Sequence, residues 1–139
     1  MDSSTTFRLR NSRVAFSPLS TYVHLKDLGS ASAFAVDPAE YWKDAALRPE
    51  LASGRLVAAS RQEKDMPHWE MHPAGDELLV PLSGEYELLL QDKPGDLVVP
   101  LRPGQVALVP FGIWHRLRVK TPGEILFVTP GKGTQQRTL

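Results

Sequence analysis

Cysteine is absent from these 139 residues, which rules out disulfides, thiolate metal ligands and cysteine nucleophiles. A chain of this length buries roughly 68–70% of the surface its unfolded form exposes, so one core can hold it without such staples. No stretch approaches the roughly 20 apolar residues of a membrane helix. The opening MDSSTTFRLRNSRVAFSPLS holds no apolar run of signal-peptide length. Neither sign of charge predominates: sixteen basic residues balance sixteen acidic ones, and no basic stretch marks a nucleic-acid surface. These absences set the expectation of a cytoplasmic protein whose partner is a small-molecule ligand, not a membrane or a nucleic acid.

What the chain does have is punctuation. Twelve prolines and ten glycines fall mostly between short apolar runs, a pattern of strands and turns. Residues 1–13 are polar and read as a flexible N-terminal arm, followed by a single domain over 14–139. Segment 14–28 mixes strand and turn residues (Val14, Phe16, Pro18, Tyr22, Val23, Leu25) and is expected to supply an edge strand or to wrap a neighbour. Asp37-Pro38-Ala39-Glu40 is a helix start, with a capping side chain, proline at the first helical position and an acid three residues after the cap. Pro49 biases Arg48 away from helical angles, so one short helix is expected over about 38–48. Tyr41, Trp42 and Leu47 would form its packing face.

From residue 54 the period becomes two. The expected strands are Arg55–Arg61, Pro67–His72, Glu77–Leu82, Glu85–Gln91, Asp96–Pro100, Gln105–Pro110, His115–Lys120 and Glu124–Thr129, separated by proline- and glycine-bearing turns. Such spacing implies an all-β sandwich or barrel. In the run His115 to Lys120, parity puts His115 on one face with Leu117 and Val119, and Arg116, Arg118 and Lys120 on the wet face. A histidine on an inward face calls for an explanation. The charge cluster Arg61-Gln-Glu-Lys-Asp65 reads as a solvated loop.

The chemistry concentrates in His68-Trp-Glu70-Met-His72-Pro-Ala-Gly-Asp76-Glu77, five ionisable side chains in ten residues. A zinc-protease helix needs His-Glu-x-x-His, and here the acid stands one place too late. Pro67 and Pro73 also leave no room for a useful helix. In a strand, His68, Glu70 and His72 share a face, but residues four apart lie roughly 13 Å apart, so only adjacent same-face pairs can share an ion. Either Glu70 with His72 or His68 with Glu70 is usable. The turn that follows returns Glu77 toward that pair, and Gly104 to His115 delivers one more histidine. Trp69 and Met71 point away, toward an outer layer or a second subunit. Asp76 reads as a turn residue. Phe111, Trp114 and Tyr86 read as core packing sooner than pocket lining.

These residues resemble the cupin superfamily. Its first motif, Gly-x5-His-x-His-x3,4-Glu-x6-Gly, is matched from His72 through four residues to Glu77 and six more to Gly84. Its second, Gly-x5-Pro-x-Gly-x2-His-x3-Asn, is matched by Gly104, Pro110, Gly112 and His115. The resemblance spans about 55–130 and implies a double-stranded β-helix, a jelly-roll barrel with an inward metal site. It departs from the motifs at three places: Glu70 replaces the first histidine, Lys64 the leading glycine and Val119 the final asparagine. Carried over, His72, Glu77 and His115 would be ligands, with Glu70 as the fourth and His68 its substitute if the strand bulges. Two carboxylates with two imidazoles suit Zn, Mn, Fe or Ni.

The resemblance implies a metal-dependent enzyme of dioxygenase, isomerase or decarboxylase type on a small polar organic molecule, with His68 and Glu70 as candidate catalytic residues. A non-enzymatic binding or sensing module, and a metal-free structural cupin, are the alternatives. A homodimer is expected, from the N-terminal strand material and the outward Trp69 and Met71.

Overall fold

The two-residue period produces strands wherever it was read, each within two residues of its expected bounds. A computed structural model describes residues 14–139; the expected arm over 1–13 lies outside the described residues. In chain order the elements are β1 (Thr21–Leu25), β2 (Ala31–Ala35), α1 (Pro38–Tyr41), β3 (Arg55–Gln62), β4 (His68–Met71), β5 (Glu77–Pro81) and β6 (Glu85–Asp92). They continue with β7 (Gly95–Leu101), β8 (Ala107–Val109), β9 (His115–Thr121), β10 (Gly123–Thr129) and β11 (Gln135–Thr138). Two antiparallel sheets result, ordered β2-β1-β3-β10-β5-β8 and β11-β4-β9-β6-β7, and together they form an all-β jelly roll that carries the short helix α1. No helix among the described residues is long and apolar enough to cross a membrane.

Alternation decides what the barrel contains. Leu79 of β5, Leu88 and Tyr86 of β6, Leu117 of β9 and Ile125 of β10 are buried in one cluster between the sheets. Gly84 makes the β5–β6 turn possible. It sits at φ +86, and a Cβ there would lie 2.6 Å from both the Thr121 carbonyl oxygen and the Tyr86 hydroxyl. Tyr86 is core, as expected, and its hydroxyl donates to the Ser83 carbonyl.

The N-terminal segment departs from expectation in two ways. Instead of a lone edge strand, residues 21–35 make a hairpin in which β2 takes the edge and β1 pairs with β3. The helix keeps α-geometry only over Pro38–Tyr41, where Asp37 caps it by accepting from the Ala39 amide at 3.2 Å. From Trp42 to Leu47 the chain is a 3-10 helix with non-helical angles at Asp44, and a second 3-10 turn follows over Pro49–Leu51. The bend lets Ala45, Ala46 and Leu51 join Trp42 along the rim of the barrel cavity. Arg48, ahead of Pro49, is extended as its proline demands.

Tyr41 docks this segment edge-on against Tyr22, with ring centroids 5.3 Å apart at 87°, and Trp42 reaches Phe127 of β10. Leu47 does not belong to that face: it is 81% exposed. Phe127 packs against both the inter-sheet cluster and this aromatic one. β11 had no sequence expectation. It adds to β4 at the sheet edge, and all four of its residues are exposed.

Candidate metal centre

Three strands and one turn bring the polar residues together. Glu70 of β4 stands directly across from His115 of β9, the one cross-strand pair joining those strands, so their side chains enter the barrel side by side. His72 leaves β4 at the Pro73-Ala74-Gly75 turn, and Glu77 opens β5 on the opposite sheet. Two hydrogen bonds tie the second corner to this turn: the Gly112 amide donates to the His72 carbonyl, and the Phe111 amide to Asp76 Oδ1. Asp76 is therefore more than a turn residue, because it sets where the chain leading to His115 runs. Gly112, at φ +76, takes an angle that suits glycine there.

The resulting cluster is buried: His72 and His115 are each 3% exposed and Glu77 5%. His72 Nε2 lies 3.3 Å from Glu70 Oε1 and 3.4 Å from Glu77 Oε2, and His115 Nε2 lies 3.1 Å from Glu77 Oε1. Glu70, His72 and His115 each offer a donor atom within 4.8 Å of the other two. Glu77 touches both imidazoles. Donors held about 2.1 Å from one ion stand about 3.0 Å apart at right angles and about 3.4 Å apart at tetrahedral angles, so the observed separations suit a shared ion.

The outer hydrogen bonds orient each donor. Thr134 gives its hydroxyl proton to the Gly131 carbonyl at 2.9 Å, so at 2.8 Å its oxygen accepts from His72 Nδ1–H. That leaves His72 Nε2 directed at the carboxylates. It is buried, and no protein group meets it in hydrogen-bond geometry. His115 likewise spends Nδ1 on the Ile113 carbonyl at 3.2 Å, freeing Nε2 for the site. Thr129 donates to Glu77 Oε2 at 2.5 Å, and Gln136 reaches Glu70 at 3.4 Å. An orphaned imidazole nitrogen, a second one oriented by backbone and two anchored carboxylates fit a divalent cation.

Charge distribution agrees. Burial alone would lower the His72 pKa, but contacts to Glu70 and Glu77 outweigh it and raise it to about 9. Burial would raise Glu77, yet His115 and His72 hold it down at about 2. His68 shares the cavity and the face of Glu70, with its Nε2 3.8 Å from Glu70 Oε2, and it stands outside the close triad.

The cavity occupies about 930 Å³ and runs from this cluster along Leu79, Leu88, Leu117 and Phe127 to Trp42. Tyr86, Phe111 and Trp114 do not line it. Phe111 is not core either, being 64% exposed, and Trp114 lies beneath the Arg137 guanidinium. Trp69 is buried within the chain itself and so offers no outer surface. Asp65, expected in a solvated loop, accepts from the Val119 amide at 2.8 Å. Thr129, Thr134 and Gln136 were not anticipated. Only Thr129, at an inward position two after Phe127, left a trace in the sequence.

Comparison with known proteins agrees with this architecture. No curated protein matches the chain. Among solved structures, a cupin-2 domain containing protein from Shewanella frigidimarina is 20% identical, with 55% of this chain and 70% of that one covered, at a TM-score of 0.48. Bacillus subtilis oxalate decarboxylase, studied for its Mn(II) centers, is 19% identical over 61% of this chain and 24% of its own, at 0.51. Hydroquinone 1,2-dioxygenase from Sphingomonas, with 4-hydroxybenzoate bound, is 22% identical over 54% and 58%, at 0.46. This chain thus spans only about a quarter of the decarboxylase, and that likeness, at 19% identity, speaks to fold alone. The cupin domain model matches residues 59–129, more than half of the chain, and the protein belongs to the cupin family.

Proposed function

We propose that Glu70, His72, Glu77 and His115 hold one divalent metal ion, Zn, Mn, Fe or Ni, and that residues 14–139 act as one domain on a small organic molecule bound in the barrel. The observation that carries this is the convergence of two buried imidazole nitrogens on two carboxylates inside a cavity large enough for a ligand. A divalent ion in that donor set supplies Lewis acidity for dioxygenase, isomerase or decarboxylase chemistry. His68, on the cavity wall beside Glu70, is placed to move a proton at its Nε2, and Glu70 serves the same purpose wherever it is not a ligand. Elemental analysis of purified protein is expected to find one ion per chain, and His115→Ala to lose it. Retention of metal by that variant, or no metal in the parent, would sink the reading.

One observation favours a second reading, a metal-free barrel, whether structural or holding a ligand without turnover. His72 Nε2 lies 3.3 Å from Glu70 and 3.4 Å from Glu77, so that a proton on it, favoured by the two carboxylates, would balance the cluster without an ion. The same elemental analysis separates the two.

The proposal includes a cytoplasmic location and a homodimer. With Trp69 buried, support for the dimer comes from the outer face of the larger sheet. There Val23, Val57, Val128, Leu78 and Leu108 are cross-strand neighbours in one row, ending at a Leu108 that is 65% exposed. Sedimentation at micromolar concentration should report a dimer, and Leu108→Lys a monomer.

A further inference from the structure

The expectation of a polar substrate meets an apolar wall. On three of the strands that bring a polar group to the centre, β5, β9 and β10, the inward residues beyond it are hydrocarbon: Leu79 after Glu77, Leu117 after His115, and Phe127 then Ile125 before Thr129; on β4 the neighbour of Glu70 is His68, and Gln62 of β3 also reaches the cavity. Trp42 carries that character to the rim. Among the described residues lining the cavity, Lys132 is the only aliphatic or guanidinium cation, and it is exposed.

We propose that the molecule held in the barrel is amphipathic, with an apolar body of six or more carbons and a single metal-binding oxygen head. This rests on the metal reading above. A compact dicarboxylate would find one end of the cavity anionic and the other without a cation to pair its second charge. A sugar-like polyol would lay hydroxyls on Leu79, Leu117 and Phe127, where they lose water and gain no partner. An apolar body instead removes both its own surface and the cavity wall from water. A metal-binding head is drawn to the His72–His115–Glu70 corner, where the ion is held. A cavity of about 930 Å³ also exceeds what a two-carbon acid needs and falls in the range of sites for larger ligands.

The test uses zinc-loaded protein titrated calorimetrically with straight-chain hydroxamates from acetohydroxamate to octanohydroxamate, beside chelator-stripped protein. Affinity is expected to rise about fourfold per methylene, and only with zinc present. Zinc-dependent binding of unchanged strength along the series overturns the amphipathic ligand and leaves the metal reading standing. Protein that takes up no zinc, or binds the series equally well without it, overturns the metal reading and this inference with it. Trp42→Ala, at a rim position that also packs on Tyr22 and Phe127 and is therefore first shown to be folded by circular dichroism, with Trp42→Phe as the milder variant, is expected to shrink the octano-to-aceto affinity ratio at least several-fold; an unchanged ratio in the folded variants counts against the assigned wall.

Discussion

The two ends of the barrel interior are built from the same strands and have opposite chemistry. At one end β5, β9 and β10 present Glu77, His115 and Thr129; two residues along, they present Leu79, Leu117 and Phe127. Parity selects which side chains face inward, and rank along the strand selects what they are. The apolar end needs only volume and shape. The polar end needs partners: Thr129 for Glu77, Thr134 for His72, the Ile113 carbonyl for His115. Stability and chemistry are therefore separable by position on a single strand.

The largest expected break in that division lies at the apolar end. Ile125→Ala, at a side chain 2% exposed, should cost about 2–5 kcal/mol of unfolding free energy in urea while leaving metal stoichiometry intact. Loss of metal in the folded variant would show that the two ends are not separable. Next is Thr134→Val, which keeps the shape and removes the acceptor for His72 Nδ1–H. Metal affinity should fall about 10- to 100-fold, with a stability loss of only about 0.5–1.5 kcal/mol; competition with a chromophoric chelator measures the first and chemical denaturation the second.

The smallest effect is expected from pH. In chelator-stripped protein, Glu77 has a folded pKa of about 2, below its ordinary 4.5, so its contribution is present above 4.5 and is lost as pH falls toward 2. His72 is raised from 6.5 to about 9, so its contribution is complete below 6.5 and is lost as pH rises through 9. The two share one interaction and are not summed. The Tm of stripped protein should therefore decline between pH 6.5 and 9. Metal-loaded protein should show the opposite trend there, because the ion competes with the His72 proton. Parallel profiles would mean that the ion and that proton do not share a nitrogen.

The barrel was legible because proline and glycine turns cut the chain into segments whose alternation is unambiguous, and because His72, Glu77, Gly84 and the Gly104–His115 run keep a family spacing. The convergence of His72, Glu77 and His115 was legible for the same reason, and Glu70 was legible from strand parity, as the same-face neighbour of His72. What escaped had no period to betray it. β11 is Gln-Gln-Arg-Thr, wholly exposed, with no alternation of apolar and polar residues to mark it as a strand. Thr134 acts from a turn 62 residues from His72 in sequence, a contact set by tertiary folding. The helix broke after one turn because packing along the cavity rim overrode the helical preference of Tyr41 to Arg48.

β11 is an edge strand with a single strand neighbour in its sheet, and it follows directly on the residue that orients His72. His115, by contrast, takes its orientation from the Ile113 carbonyl two residues away, in the short connection that leads into the interior strand β9. Short edge strands separate at lower free energy than interior ones. The two imidazoles are thus anchored to parts of the molecule with unequal tenure, and an ion exchanging with solvent would be released from the His72 side first.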